Sequence, residues 1–247
     1  MDVKIFDTTE ESGQAAARLG AEAIKDAIRQ KGEAAVILAT GNSQLKMIEN
    51  LTSFKDIDWS KVTCFHLDEY VGISDRHPAS FRKYLKEKFA DRVGPLKDFI
   101  YVNGDADDVE RECDRLGRII SRYTIDAAFI GIGENAHIAF NDPPADFDTE
   151  KPYIIVTLDE TCRRQQIGEG WFASIEDVPE RAVSMSIRQI MKSKIIICTV
   201  PERRKARAVQ LTMEKEVSPE YPATILREHP QCTLFLDAES SSLLEHS

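Results

Sequence analysis

The sequence is poor in the residues on which several large classes of function depend. Its 247 residues contain five cysteines (Cys64, Cys113, Cys162, Cys198 and Cys232), odd in number, widely spaced and without a C-x-x-C pair. Neither a disulfide framework nor a zinc knuckle is built from such a set. The five histidines follow no H-E-x-x-H or His-x-His pattern, so no protein-held metal is expected. Cations are outnumbered, with 32 Lys and Arg against 42 Asp and Glu and a formal net charge of −10. Nucleic acid and anionic membrane are poor partners for that balance, because phosphate polymers need clustered cations. One small phosphorylated ligand needs only a few donors and stays open. Long apolar runs are missing as well, which excludes a transmembrane helix. The opening MDVKIFDTTEE lacks the basic and apolar blocks of a signal peptide, and a reducing cytoplasm is the expected compartment.

What the chain does have is an alternation of two periodicities. Short β-branched runs recur at Val3–Phe6, Ala34–Ala39, Val62–Leu67, Ala127–Ile132, Tyr153–Leu158, Lys194–Val200 and Cys232–Asp237. Several are apolar throughout, as parallel strands buried on both faces must be. Between them lie amphipathic stretches at Glu10–Gln30, Pro78–Val93, Asp107–Arg122 and Arg203–Met213, the first followed by Gly32 as a stop signal. Strands alternating with helices predict a doubly wound, mostly parallel sheet flanked by helices. The expectation is one α/β domain over residues 1–247. Its least regular segment, Pro143–Glu180, is either a mobile flap over a site or an ordinary surface excursion.

In open α/β sheets ligands sit beyond the carboxyl ends of the strands, so the residues that follow each run carry the functional signal. After Ala34–Ala39 comes Thr40-Gly41-Asn42-Ser43, a tight turn into a helix that suits a phosphate. The plainer alternative is that Ser43 only caps the helix. It is neither a Walker A loop nor a G-x-G-x-x-G turn. After Val62–Leu67 comes Asp68-Glu69-Tyr70, and continued strand alternation would put Cys64, His66 and Asp68 on one side. A carboxylate at the mouth of a buried strand is partly desolvated, which raises its pKa toward that of a useful base. A helix cap or salt bridge is the alternative. After Ala127–Ile132 comes Gly133-Glu134-Asn135-Ala136-His137, with Asp142 five residues beyond the imidazole and able to orient it. Three polar loops on strand ends point to an active site. Arg203, Arg204, Lys205 and Arg207 open a helix whose dipole they oppose, which favours a bound anion for at least one of them.

Leu67-Asp68-Glu69-Tyr70-Val71-Gly72, together with Gly131-Ile132-Gly133 through His137-Ile138-Ala139-Phe140-Asn141, strongly resembles the glucosamine-6-phosphate deaminase (isomerase) family. Thr40-Gly41-Asn42-Ser43 and Lys205 fall in matching order, and the resemblance spans essentially the whole chain. The related 6-phosphogluconolactonases usually continue with a Ser-Leu-Phe-Pro-like stretch where this chain has Ala139-Phe140-Asn141-Asp142. The resemblance implies isomerisation and deamination of a hexosamine 6-phosphate without metal or organic cofactor. Asp68 would shuttle the C2 proton, and His137 would assist ring opening beside Asn135 and Asp142. Thr40, Gly41, Asn42, Ser43, Lys205 and Arg164 would hold the phosphate, with Arg163 as the alternative arginine.

The chain also departs from the family pattern. Asn135 replaces the usual Asp, which removes one charge near His137, and Asp142 replaces the usual Glu, which shortens its reach. Galactosamine-phosphate relatives resemble this chain in that Asn, so the configuration at C4 stays open. No serine pair matches around Ala145-Asp146, so the allosteric pocket of some bacterial members is not expected. Two other readings remain: a sugar-phosphate lactonase in which His137 activates water, and a non-catalytic sugar-phosphate sensor. A homo-oligomer stays open.

Overall fold

The computed structural model describes residues 1–168 and 170–244. Seven strands form one parallel sheet: β1 (Asp2–Phe6), β2 (Ala34–Leu38), β3 (Val62–His66), β5 (Asp98–Ile100), β6 (Ala127–Ile130), β9 (Ile195–Val200) and β10 (Cys232–Asp237). Their spatial order is β1-β10-β9-β6-β2-β3-β5. The expected doubly wound parallel sheet is therefore the core of the fold. Strand β2 shows why its sequence is apolar throughout. Ala34, Val36 and Leu38 join one cluster with Ala16, Ala17 and Ile24 of the Thr9–Lys31 helix. Ala35 and Ile37 join the opposite cluster with Leu116 and Ile120 of the Val109–Ile120 helix. A strand covered on both faces has no polar side to show.

Three shorter strands form a second, antiparallel sheet in the order β4-β8-β7, with β4 at Asp68–Tyr70, β7 at Tyr153–Thr157 and β8 at Arg181–Met185. This corrects two readings of the sequence. The Tyr153 run is a strand, but it pairs antiparallel with β8 and lies outside the main sheet. The Cys64–His66–Asp68 alternation also breaks, because the chain leaves β3 at Leu67 and joins another sheet. The segment at 143–180 is less irregular than expected, since it holds β7 and the Glu160–Gly168 helix.

Local signals explain the helix ends. Thr8 and Glu11 close a reciprocal cap at the start of Thr9–Lys31, and Gly32, at φ 82°, ends it. The Pro78–Val93 stretch becomes helical only at Phe81, where Ser80 accepts from the Lys83 amide. It then widens by one turn at Lys86–Ala90 before finishing at Asp91–Val93. The Asp107–Arg122 and Arg203–Met213 expectations correspond to helices at Val109–Ile120 and Ala206–Glu214, the second preceded by one tighter turn at Arg203–Lys205.

The long helix reaches the sheet at Gly20. A Cβ there would stand 2.2 Å from the Phe129 ring, which is fully buried in β6. Helix propensity favours alanine over glycine by about 1 kcal/mol, but overpacking a filled core costs about 1–3 kcal/mol. Gly20→Ala is therefore expected to lower the urea midpoint. An unchanged or raised midpoint would show that the contact is not limiting.

Candidate active site

The strand order reverses between β2 and β6: the chain runs outward from β2 to β3 and later returns to the other side of β2. Loops leaving the carboxyl ends of those two strands diverge and leave a crevice. The cavity there is lined by Thr40, Gly41 and Ser43 after β2, Asp68 after β3, Gly131–Gly133 and His137 after β6, and Lys205 after β9. Four separate strand ends meet at one place.

The turn after β2 is built on Gly41, at φ 99°, followed by a single tight turn at Asn42–Gln44 and the Leu45–Ser53 helix. Ser43 does not cap that helix, whose N-cap position is Gln44 without a side-chain cap bond. The Ser43 hydroxyl faces the cavity and accepts from Gln44 Nε2 at 3.2 Å. Gln44, missed at the level of sequence, is fully buried and ties three strand ends together. Its Nε2 donates to Ile130 O and Thr199 O, both at 3.3 Å, and its Oε1 accepts from Thr199 Oγ1 at 2.9 Å. Tyr84 Oη donates to Gly41 O at 2.9 Å and holds the turn from the other side. Asn42 belongs to the turn but is not among the residues lining the cavity.

Asp68 and Glu69 divide the two fates that the sequence left open. Glu69 is the helix cap. Its buried carboxylate accepts from Ser80 Oγ at 2.8 Å and from the backbone N–H groups of Phe81 and Arg82 at 3.2 and 2.9 Å. Asp68, the preceding residue of β4, faces the opposite way into the cavity. Burial, with the neighbouring Glu69 charge adding to it, pushes the Asp68 carboxyl up to about 8. A carboxyl of that kind exchanges a proton near neutrality.

The His137 loop folds back on itself, with Gly133 N donating to His137 O at 2.9 Å. Ala136 and Ala139 take left-handed backbone angles, φ 67° and 53°, on either side of the histidine. Such angles cost non-glycine residues about 1–2 kcal/mol each and persist where the surroundings over-determine them. Gly133 is required for a different reason: a Cβ would stand 2.2 Å from the imidazole. Despite its shorter side chain, Asp142 reaches the ring, with Oδ1 3.0 Å from His137 Nδ1. Asn135 serves both partners. Its Oδ1 accepts from His137 N at 3.2 Å, and its Nδ2 donates to Asp142 Oδ1 at 3.0 Å. Burial opposes ionisation of Asp142, yet contacts with His137, Asn135 and the Asp159 amide hold its pKa below the ordinary carboxylate value. The Asn135 amide donates to that carboxylate without titrating, whereas an aspartate at this position would donate only when protonated.

Of the cations opening the late helix, Lys205 alone lines the cavity, and it is 3% exposed. Arg204 binds Glu202, Arg203 lies near Glu239, and Arg207 bonds Gln210. The Asp237 carboxylate at the end of β10 accepts from Glu202 N at 3.1 Å and anchors the turn before Lys205. Neither arginine expected on the phosphate lines the cavity. Arg164 is two-thirds exposed and pairs with Glu160 one helical turn away. Arg163 donates to the Ile175 and Val178 carbonyls. The helix turns both away from the cavity and instead presents Gln166, an unexpected lining residue that is 5% exposed.

The chain is similar to known proteins over most of its length. A sequence profile described as glucosamine-6-phosphate isomerases/6-phosphogluconolactonase matches residues 7–235. Glucosamine-6-phosphate deaminase 1 of Bacillus subtilis strain 168 is 35% identical over 249 residues, covering 98% of this chain and 99% of the relative. The glucosamine-6-phosphate deaminase of Oenococcus oeni is 35% identical over 244 residues, covering 99% of each. A solved structure described as a monomeric glucosamine-6-phosphate deaminase has a TM-score of 0.89 at 33% identity, covering 98% of this chain and 100% of that one. A 6-phosphogluconolactonase from Shewanella baltica has a TM-score of 0.78 at 18% identity, covering 96% of this chain and 98% of that one, and shares the fold. With a matched profile running from before the first long helix into β10, the chain belongs to the glucosamine-6-phosphate isomerase/6-phosphogluconolactonase family.

Proposed function

We propose that the protein is an aminosugar-phosphate isomerase/deaminase that converts a hexosamine 6-phosphate to a ketohexose 6-phosphate with release of ammonia. One juxtaposition carries the reading: a carboxyl titrating near neutrality and an Asp-oriented imidazole share a cavity with a buried lysine and a hydroxyl-bearing turn. Thr40, Gly41, Ser43 and Lys205 hold the phosphate, which fixes the reacting carbons by a group that does not react. His137 delivers a proton to the ring oxygen as the sugar opens, its Nδ1 side engaged by Asp142. Asp68 takes the C2 proton and returns it to C1, while the C1 oxygen gains a proton and the amine loses one, leaving a C1 hydroxyl and an imine at C2. Water hydrolyses that imine to the ketone and ammonia. Asn135 is a positioning residue that keeps Asp142 ionised and the loop closed. Among the described residues no helix is long and apolar enough to cross a membrane, and the five cysteines are buried free thiols, as a reducing cytoplasm allows.

An ammonia-coupled assay with glucosamine and galactosamine 6-phosphates tests the proposal. Acid release from a sugar-phosphate lactone, without ammonia from either aminosugar, would favour the lactonase reading instead.

Three outcomes follow from the roles. General-base loss is worth about 10²–10⁴-fold, so Asp68→Asn is expected to lower kcat by that much while phosphate-ligand affinity stays within about threefold. Base action requires the ionised carboxylate, so kcat/KM of the wild type should rise with pH through about 8. A flat profile from pH 6 to 9 would count against Asp68. The same upward shift makes Asp68 a burden on the fold. Native Asp68 keeps its proton where the unfolded chain has lost it, so stability falls as pH rises from the unfolded carboxylate pKa toward about 8. Asp68→Asn should therefore raise the melting temperature at pH 7.5 more than at pH 4. Lys205→Ala should raise KM by about 10- to 100-fold through loss of a charge-assisted bond to phosphate. Unchanged KM would remove Lys205 from the phosphate site.

A further inference from the structure

Six polar side chains line the cavity: Thr40, Ser43, Asp68, His137, Gln166 and Lys205. The proposed reaction uses five of them, three on the phosphate and two on the protons, and the rest of the lining is apolar or glycine. Gln166 has no assignment. It is 5% exposed, and burying a primary amide that does no work is unfavourable.

Its orientation is set from behind. Tyr70 Oη donates to Gln166 Oε1 at 2.7 Å. The Tyr70 ring is fully buried and caged by Phe81, Phe140 and Phe172, with centroids 5.0, 5.2 and 5.4 Å away. A hydroxyl so enclosed cannot swing, and the amide oxygen bound to it fixes which way the amide points. Gln166 Nε2 has no hydrogen-bond partner among the described residues. Tyr70 also lies two residues from Asp68 on β4, so one strand carries both the proposed base and the post that aims the amide.

We propose that Gln166 is the residue that reads the configuration of the sugar, donating from Nε2 to the hydroxyls at C3 and C4, with Tyr70 as its positioning residue. The inference rests on the deaminase reading and extends it to epimer choice. In a hexosamine 6-phosphate, C1 and C2 react, the ring oxygen meets His137 and C6 carries the phosphate. The hydroxyls at C3 and C4 are what remains. One amide nitrogen with two hydrogens matches two neighbouring oxygens. A nitrogen held in one direction meets both oxygens in only one C4 epimer, and the other epimer leaves a buried donor unpaired.

The test is kcat/KM for ammonia release from glucosamine 6-phosphate and from its 4-epimer, measured on the wild type, Gln166→Leu and Tyr70→Phe. Wild type is expected to favour one epimer by about tenfold or more. Gln166→Leu should lower kcat/KM for the favoured epimer by about 10- to 100-fold and bring the ratio close to one. Tyr70→Phe lets the amide turn, so it should shrink the ratio with a smaller loss of rate. A purely structural role would slow both epimers alike. A wild-type ratio near one, or a ratio that both variants preserve, overturns the assignment while leaving the deaminase reading intact. No ammonia from either epimer in wild type overturns both. If Gln166→Leu does not fold, the Tyr70→Phe ratio decides alone.

Discussion

The pairing of β4 with β8 is the constraint from which the rest of the site follows. The chain reaches the carboxyl end of β3 and, with only Leu67 between, enters a second sheet in which Asp68 faces Ser184 and Tyr70 faces Ala182. Leu67 itself is fastened to that sheet by the Met185 amide at 2.8 Å. A loop in place of β4 would leave Asp68 in water as an ordinary carboxylate. Held in a strand at the roof of the crevice, it is desolvated, aimed at the cavity, and backed by Glu69 on the opposite face. The ladder also seats Tyr70 in its aromatic cage.

Three buried carboxylates within this small region show how environment sets chemistry. Glu69 is buried but surrounded by N–H and O–H donors at the start of a helix, so its work is structural. Asp142 is buried among an imidazole, an amide and a backbone N–H, which hold it ionised. Asp68 faces the cavity, and burial dominates its titration. The differences come from the donors each one meets. The formal net charge of −10 counts these three like every other carboxylate and does not distinguish them.

Strands buried on both faces were legible because a short, continuous apolar run suits a strand covered from both sides, and six of the seven runs lie in the parallel sheet. The Tyr153 run was legible as a strand but not as a member of another sheet, because periodicity does not name a partner. Strands β4 and β5 hide in three residues each. For the site, motif resemblance and strand-end position identified Asp68, His137 and Lys205, all of which line the cavity. Arg164, expected on the phosphate, lies outside that lining, where Gln166 of the same helix is found instead. Gln44 carried no signal, since its bonds run to carbonyls 86 and 155 residues away.

The sequence by itself determined the α/β architecture, the strand ends that carry polar loops, and the residue types available for phosphate binding and proton transfer. Those are properties of local periodicity and composition. Tertiary structure decided that Asp68 faces the cavity while Glu69 caps a helix, that Ser43 lines the same cavity, and that Asp142 reaches His137. It also placed Gln166, and neither Arg163 nor Arg164, in the lining of the cavity. Each of these depends on distance and desolvation between segments far apart in the chain. Water and distant side chains set the ionisation and reach of a group, and neither is written in its neighbours along the sequence.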